Sequence, residues 1–421
     1  TDEADQCLGD LIGRRTREWN LGRVRRFFVI EATRLTDTFA DIRPYRDSEV
    51  EPVLARLLAD PELQGAIARM RLGRMASWFP GLSRALVRRS LGRQVAGIHD
   101  VHGMQMVIKS YVERMIEQTT DGFSVTGLDA LDESRSYLFM SNHRDITLDP
   151  AFTNYALNGG GHQTVRIAIG DNLLTKPWVS DLMRLNKSFI VKRSLSGPRE
   201  LLAATKHLSA YIGHSLHEEN APVWIAQREG RAKDGLDRTE PAVIKMLAMS
   251  RNKREQEFGE FIGALGIVPV TISYELDPCD GLKANELHQL ATHGSYEKGE
   301  QEDVASIGRG ISGQKGRVHV SFGSPLGDGF DSPEAVSAEV DRQIISNYCL
   351  HPSNLQAYRA LHGESAPVPD DLYLEEGVCS PDEFEARIKA LPEPQRPYAL
   401  AIYANSVVSK LALADGNLAS C

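Results

Sequence analysis

Between residues 120 and 326, short apolar runs alternate with longer segments of helical periodicity, and this alternation limits the fold more than any other sequence feature. Such alternation is typical of an α/β domain, in which helices cover the faces of a sheet. Each predicted helix carries proline near its first turn, where the missing N–H costs no hydrogen bond. The predicted strands are residues 123–127, 136–140, 164–169, 188–191, 223–226, 267–274 and 317–322. The predicted helices are residues 150–157, 177–185, 198–216 and 241–249.

On both sides of this region the pattern is helical. Residues 27–117 repeat apolar side chains at three- and four-residue spacing, without a strand-like run of β-branched residues. We therefore predict an N-terminal helical region over residues 1–118, an α/β domain over residues 119–330, and a C-terminal helical region over residues 331–421. The polar stretch 275–310 is predicted to be an irregular insertion. The predicted C-terminal helices are residues 333–348, 354–361, 381–391 and 398–413.

Composition and charge exclude several classes of protein. The net charge of the 421 residues is −9, which argues against a general nucleic-acid binder. The five cysteines are odd in number and include no CxxC pair, so we expect a reducing compartment and neither a zinc site nor a disulfide framework. No signal peptide is recognised, and no apolar run approaches the roughly 20 residues of a spanning helix. We expect a cytoplasmic protein that lies on a membrane if it meets one.

One N-terminal segment, residues 66–93, combines seven arginines with bulky apolar side chains and contains no acidic residue. A basic amphipathic segment of this kind can lie in the interface of an anionic membrane. It can equally pack its apolar side against the protein and leave its arginines in solvent. Both interpretations stay open. The apolar side chains are Met70, Met75, Trp78, Phe79, Leu82 and Leu86.

The first candidate site is residues 141–150, which read Ser-Asn-His-Arg-Asp-Ile-Thr-Leu-Asp-Pro. They follow a predicted buried strand and precede a predicted helix, so His143 lies where α/β proteins usually bind ligands. A neutral imidazole can take a proton from an alcohol near pH 7, and a carboxylate can hold its other ring nitrogen. We therefore predict that His143 is a catalytic base, with Asp145 or Asp149 as its partner.

This segment resembles the first motif of the glycerophospholipid acyltransferases, which include glycerol-3-phosphate and lysophosphatidate acyltransferases. That motif has Asn-His, four residues and then Asp, often followed by Pro. Asn142 and His143 match, but five residues separate His143 from Asp149. Either Asp149 is the family's acid with one residue inserted, or Asp145 supplies the carboxylate; the Asp-Pro pair favours Asp149, which also suits a helix N-cap. The resemblance makes Asn142 and Arg144 candidates for substrate binding.

A second segment, residues 186–193, is similar to a family motif in which a Phe-Ile pair precedes basic residues. Lys192 and Arg193 follow a predicted strand. Arginine suits phosphate because its planar guanidinium donates two parallel hydrogen bonds. The pair is therefore predicted to contact a substrate phosphate, although a Lys-Arg pair alone is usually a solvated surface.

A third segment, residues 224–235, resembles the family's Glu-Gly motif, in which an arginine after the glycine contacts the acceptor phosphate. Here Arg231 follows Gly230 directly, whereas the family has one residue between them. The resemblance assigns Glu229, Gly230 and Arg231 to substrate binding, with Arg228 and Lys233 as further candidates. The alternative is a charged surface loop.

A fourth segment, residues 267–275, is similar to the family's Val-Pro strand. Proline in a strand favours an edge strand or a strand start, and Pro269 is predicted to shape the acyl pocket. The four segments follow the family's order between residues 141 and 275. Neither flanking helical region takes part in the resemblance.

The resemblance implies a mixed sheet with flanking helices and an O-acyltransferase of phospholipid synthesis. A fatty acyl group would move from acyl-CoA or acyl-carrier protein, as co-substrate, to a hydroxyl of glycerol-3-phosphate or 1-acylglycerol-3-phosphate. Neither a cofactor nor a metal is implied. The expected partners are the acyl donor, the acceptor and an anionic membrane surface, with the protein peripheral to the inner face of the membrane. The alternatives are another lyso-lipid acceptor, or a non-catalytic lipid-binding relative. The altered motif spacings are the only support for the lipid-binding relative, and the retention of His143, Asp149, Glu229 and Arg231 argues against it.

Residues 308–313 spell the GxGxxG pattern of dinucleotide sites. They follow a polar stretch rather than a strand, and a predicted strand comes after them. We therefore do not expect a dinucleotide there.

Overall fold

The computed structural model describes residues 37–73, 75–299, 302–368 and 377–416. The described residues from Ile42 onward form one compact unit. Within the separate unit of residues 1–41, the described residues lie in a short turn segment. The helical pattern predicted for residues 27–36 lies outside the described residues.

Seven short strands form the central sheet of the described chain. They are β1 (Gly122–Thr126), β2 (Leu138–Ser141), β3 (Arg166–Gly170), β4 (Ser188–Val191), β5 (Val223–Ala226), β6 (Ile267–Tyr274) and β7 (Arg317–Phe322). Their order in the sheet is β1-β7-β6-β2-β5-β3-β4. Neighbouring strands are parallel except β6 and β7, which are antiparallel. The predicted α/β class with a mixed sheet is confirmed, and every predicted strand is present with small shifts of its ends.

Five helices of the described chain precede the sheet. Two of them begin at aspartates that cap them: the Asp60 carboxylate accepts hydrogen bonds from the N–H groups of Glu62 and Leu63, and the Asp100 carboxylate accepts one from Gly103. Among the described residues, no helix combines the length and the apolar character that crossing a bilayer requires. The five are α1 (Asp47–Ala59), α2 (Pro61–Leu72), α3 (Met75–Trp78), α4 (Pro80–Gln94) and α5 (Val101–Thr119).

Helices connect the strands and cover both faces of the sheet. On one face, Phe152 packs with Phe139 in a core cluster to which α5 also contributes. On the opposite face, the ring of Phe189 lies 5.2 Å from that of Tyr211. These helices are α6 (Leu148–Gly159), α7 (Pro177–Leu185), α8 (Pro198–His217), α9 (Pro241–Leu247) and α10 (Phe258–Leu265).

The polar insertion before β7 is helical, contrary to the prediction of an irregular segment. It forms α11 (Asp280–His293) and α12 (Glu302–Ser312). Its contacts use small and polar side chains: Lys283 and Ser306 are buried, and a Cβ on Gly310 would lie 2.6 Å from a carboxylate oxygen of Asp145. Because few of the packed residues are apolar, the periodicity that predicts a helix is weak here.

The C-terminal helices lie within two residues of their predicted positions. The last three share a core cluster with α11 that contains Ala284, Ala357, Phe384 and Tyr403. The predicted boundaries between the three regions stay a prediction. The helices are α13 (Pro333–Asn347), α14 (Pro352–His362), α15 (Pro381–Lys389) and α16 (Arg396–Ala414).

Pro269 lies near the start of β6, which is an internal strand. Of the two positions that proline favours in a strand, the structure therefore has the strand start and not the edge. Pairing between β6 and β7 begins at the next residue, where Val270 is opposite Phe322. The carbonyl of Pro269 accepts a hydrogen bond from Gly323 at 2.8 Å and therefore points toward β7. The ring nitrogen of Pro269 points to the same side, because the N and C=O of a strand residue do so. It lies outside the stretch that pairs with β7, so the missing N–H removes no hydrogen bond of that pairing.

Candidate active site

His143 follows the carboxyl end of β2, and its imidazole is held by Asp149 in the first turn of α6. The Nδ1 atom of His143 lies 3.0 Å from Oδ2 of Asp149. The same oxygen accepts hydrogen bonds from the backbone N–H groups of Arg144, at 2.7 Å, and Asp145, at 2.9 Å. The Asp149 side chain is fully buried, whereas that of His143 is 15% exposed. The carboxylate is therefore fixed in place by the backbone and in turn fixes the orientation of the ring.

Tyr274, near the end of β6, completes the contacts of this carboxylate. Its hydroxyl donates to Oδ1 of Asp149 at 2.7 Å. Burial and the neighbouring Asp149 raise the pKa of the Tyr274 phenol well above its usual value, so the phenol keeps the proton that it donates. Sequence reasoning did not find Tyr274, although it belongs to the fourth segment. Strand alternation predicts the face of the sheet to which its side chain points, but only the tertiary structure shows that Asp149 is its hydrogen-bond partner.

Asp145, the other candidate partner, caps a helix. Its Oδ1 atom accepts from the backbone N–H groups of Thr147 and Leu148, each at 2.9 Å. Burial and the nearby Asp149 raise the pKa of its carboxyl. Its described side-chain hydrogen bonds come from the start of α6 and from the Cys279 thiol, at 4.0 Å, and not from the imidazole. The structure therefore brings Asp149, and not Asp145, to His143, in spite of the five intervening residues.

Asn142 and Arg144 lie in the core, where substrate contact is excluded by burial. The Asn142 side chain donates to the carbonyl of Ile272 at 3.1 Å and accepts from its N–H at 2.9 Å, which joins β2 to β6. The Arg144 guanidinium donates to both carboxylate oxygens of Asp237, at 3.0 and 2.6 Å. Both predicted substrate contacts are therefore corrected: these side chains are saturated by protein partners, and neither lines the cavity described below.

The Arg144–Asp237 pair also connects the histidine loop to more distant parts of the chain. Arg144 donates to the carbonyl of Gly235 at 2.9 Å and to the Ser406 hydroxyl of α16 at 3.3 Å. Its guanidinium lies 5.3 Å from the centre of the Tyr348 ring. Although burial opposes the charge, Asp237 raises the pKa of Arg144 above its usual value. Sequence reasoning gave Asp237 no role, because nothing in its neighbourhood marks it as a buried partner.

A cavity of about 650 Å³ lies beside His143 at the ends of β3, β4 and β5. Its wall is mainly apolar, and His143 is one of its lining residues. Every basic residue named in the second and third sequence segments also lines it, together with Glu229 and Gly230. We call these basic residues the cationic set: Lys192, Arg193, Arg228, Arg231 and Lys233.

The loop after β5 brings part of the cationic set to the histidine. The N–H of Ala232 donates to the carbonyl of His143 at 2.7 Å. Arg231 donates to the buried hydroxyl of Ser306 in α12 at 2.6 Å, and Arg193 pairs with Glu229 at 3.4 Å. The loop turns at Gly230, whose φ of +73° favours glycine. Ser306 lies in the insertion and was not found from sequence, because the polar pattern there predicts no fixed position.

Pro269 does not contribute to the cavity. It pairs with Met140 in the middle of the sheet, and the lining residues do not include it. The predicted role in shaping an acyl pocket is therefore corrected, because Pro269 lies in an internal strand and not at the cavity wall.

The Acyltransferase family model matches residues 122–272. This matched segment is an Acyltransferase domain. The match runs from β1 into β6, and it contains His143, Asp149 and the whole cationic set; the family expected from the sequence segments is thus confirmed. Tyr274, the insertion of α11 and α12, and both flanking helical regions lie outside the matched part of the chain.

Comparisons of whole chains add little to this assignment. No curated protein matches the chain. Among solved structures, it is similar to the 1-acyl-sn-glycerophosphate (LPA) acyltransferase PlsC from Thermotoga maritima, with 14% identity and a TM-score of 0.32 over 68% of this chain and 95% of that one.

The geometry predicts that Asp149 and Asp145 differ in their effect on acyl transfer. Asp149→Asn should lower the turnover number by roughly 10²-fold or more, since the amide no longer holds the imidazole in the same tautomer. Asp145→Asn should keep most of the activity, because an asparagine oxygen can still cap α6. Steady-state kinetics measure the change, with thermal unfolding as the control for folding. A larger fall for Asp145→Asn, with Asp149→Asn active, would reverse this assignment.

Proposed function

We propose that the chain is an O-acyltransferase of phospholipid synthesis that works on the cytoplasmic face of a membrane. It moves a fatty acyl group from acyl-CoA or acyl-carrier protein to a hydroxyl of a glycerol-phosphate acceptor. The acyltransferase domain supports the reaction class, and the four sequence segments support the donor and acceptor.

One observation carries this proposal: His143 lines the cavity while its other ring nitrogen contacts a buried carboxylate. With the Nδ1 proton donated to Asp149, the Nε2 atom is the one left to accept a proton. A base of this kind beside a mainly apolar cavity suits a hydroxyl nucleophile and a hydrocarbon-bearing donor.

The reaction follows from these groups in one displacement. Nε2 of His143 takes the hydroxyl proton as the acceptor oxygen attacks the thioester carbonyl. The new C–O bond forms, the C–S bond breaks, and the thiolate takes the proton back from the imidazolium. Asp149 stays ionised and stabilises the transient positive charge on the ring.

The cationic set supplies the recognition of phosphate. Arg231 is half-buried and held by Ser306, so its guanidinium is oriented before a substrate arrives. Lys192 and Arg193 line the same cavity from the end of β4. Several cations around one cavity favour a substrate with a phosphate group.

Residues 66–93 form the proposed membrane surface. Four of its bulky apolar side chains are exposed, whereas Val87 packs in a small core cluster: Met70 is 77% exposed, Trp78 74%, Phe79 64% and Leu82 62%. The side chain of Met75 lies outside the described ones. Arg84, Arg88 and Arg89 are exposed on the same segment. Exposed apolar and basic side chains in one segment are typical of a surface that inserts shallowly into an anionic bilayer.

The replacement His143→Ala tests the reaction directly. Loss of the base should lower acyl transfer by at least roughly 10²-fold. The unfolding temperature should stay nearly unchanged, because Asp149 keeps three of its four hydrogen bonds. The measurement is thiol release from acyl-CoA and from acyl-carrier protein, with glycerol-3-phosphate, lysophosphatidate or no acceptor. Wild-type turnover in His143→Ala would contradict the mechanism, and no acceptor-dependent release by the wild type would favour a lipid-binding protein.

Arg231→Ala should mainly weaken acceptor binding, because the residue is assigned to a phosphate and not to proton transfer. Loss of one charge-assisted hydrogen bond costs about 1.5–3 kcal/mol, or roughly 10- to 150-fold in acceptor KM. The donor KM should change little. Ser306→Ala, which frees the guanidinium without removing it, should have a smaller effect in the same direction. Equal weakening toward a phosphate-free acceptor would contradict the phosphate contact.

The membrane surface predicts binding to vesicles that contain anionic lipid, with weaker binding as salt increases and poor binding to neutral vesicles. Each arginine near an anionic surface contributes about 1 kcal/mol, so the triple change of Arg84, Arg88 and Arg89 to glutamine should lower the partition coefficient by more than roughly tenfold. Sedimentation with vesicles at several salt concentrations measures it.

A matched control removes the same charge elsewhere. Arg254, Arg309 and Arg359 are exposed and lie far along the chain from residues 66–93. Their replacement by glutamine should leave most of the binding intact. If both triple variants lose binding equally, net charge and not this surface governs the interaction.

A further inference from the structure

We propose that the cavity has two separate hydrocarbon-binding arms on opposite faces of the sheet, one for the acyl chain of the donor and one for a chain that belongs to the acceptor. This deepens the proposed function and rests on it. The acceptor is then a single-chain phospholipid with a free hydroxyl, and not glycerol phosphate itself.

The first arm lies on the face of the sheet that α5 and α6 cover. Ile167 and Trp224 are adjacent in register on β3 and β5, and both belong to the core cluster that includes Phe152 of α6. Their side chains therefore point to this face. The cavity wall here includes Met106, Val112, Tyr155 and Ile167.

The second arm lies on the other face, against α8 and α9. Ala168 follows Ile167 and so points the opposite way. It pairs in register with Phe189, whose ring contacts Tyr211 of α8. The hydroxyl of Ser209 in α8 donates to the carbonyl of Leu247 at the end of α9 at 2.7 Å, which joins the two helices. The cavity wall here includes Leu201, Ala204, Leu208, Val243 and Met246.

The residues that line the two arms lie on opposite faces of β3, so a chain that extends along one arm leaves the other arm empty. The arms join at the strand ends, where His143 and the cationic set line the same cavity. A thioester donor brings one chain to this junction. Glycerol phosphate brings a phosphate but no hydrocarbon, and would leave the second apolar arm without a matching ligand. A single-chain phospholipid matches both the cationic set and the remaining arm, because its phosphate lies close to its free hydroxyl and its chain extends away.

Narrowing each arm tests this assignment. Val112 is half-buried in the first arm and Ala204 in the second, so Val112→Phe and Ala204→Phe each shorten one arm. Transfer is measured with acyl-CoA of graded chain length at one lysophosphatidate, and with lysophosphatidates of graded chain length at one acyl-CoA. Each variant should shift the preferred length of one substrate by two or more carbons, and the two variants should act on different substrates.

Controls come from the same helices. Ser110 in α5 and Ala203 in α8 are exposed and do not line the cavity, so Ser110→Phe and Ala203→Phe should leave both chain-length profiles unchanged. Met106→Trp and Met246→Trp serve as second narrowing variants if either first variant unfolds at a lower temperature. Wild-type protein should transfer to lysophosphatidate at least tenfold faster than to glycerol-3-phosphate.

The outcomes separate this inference from the proposed function. The two-arm assignment is overturned if variants in both arms shift the chain-length profile of the same substrate. It is also overturned if the wild type transfers to glycerol-3-phosphate as fast as to lysophosphatidate. Either result leaves the proposed acyltransferase function intact. Absence of transfer to every acceptor, by folded wild-type protein, overturns both.

Discussion

The buried carboxylate of Asp149 receives four hydrogen bonds, and the geometry of the site follows from them. An ionised carboxylate inside a protein is costly unless its oxygens are satisfied. Here two backbone N–H groups of the histidine loop and the Tyr274 hydroxyl supply three bonds, and His143 supplies the fourth. The loop must close around the acid for these bonds to form. The same closure places the imidazole at the cavity wall, so stability and the orientation of the proposed base have one physical cause.

A second buried group, the ion pair of Arg144 and Asp237, connects the site to regions outside the family match. The Arg144–Asp237 pair joins the histidine loop to the loop after β5, and Arg144 also contacts Ser406 in α16. Removing one partner of such a pair leaves the other charged and buried, which typically costs about 3–5 kcal/mol. The C-terminal helices thus hold the loop that contains His143, the proposed base. In the same way, α12 holds Arg231 through Ser306. Parts of the chain beyond the acyltransferase match therefore help to position the residues within it.

Charge and apolar surface are arranged as a lipid-modifying reaction requires. The cationic set and His143 share one cavity with a mainly apolar wall, which suits a substrate with a phosphate and a hydrocarbon chain. Exposed tryptophan and phenylalanine between arginines, on the N-terminal helices, suit a bilayer that supplies and receives such molecules. The two features serve the same proposed chemistry at different places, since a product with hydrocarbon chains has no favourable path through water.

The sequence by itself determined the α/β class, the strands and most helices, and the acyltransferase family, because these depend on local periodicity, proline placement and short motifs. Contacts across the fold were decided by tertiary structure alone. The linear motif favours Asp149 as the partner of His143 but leaves Asp145 open, and only the start of α6 turns Asp145 into a cap and brings Asp149 to His143. The same limit explains why Arg144 and Pro269 were assigned to substrate, and why Tyr274, Asp237 and Ser306 were not found. A hydrogen bond between residues far apart in the chain leaves no trace in the spacing of either one.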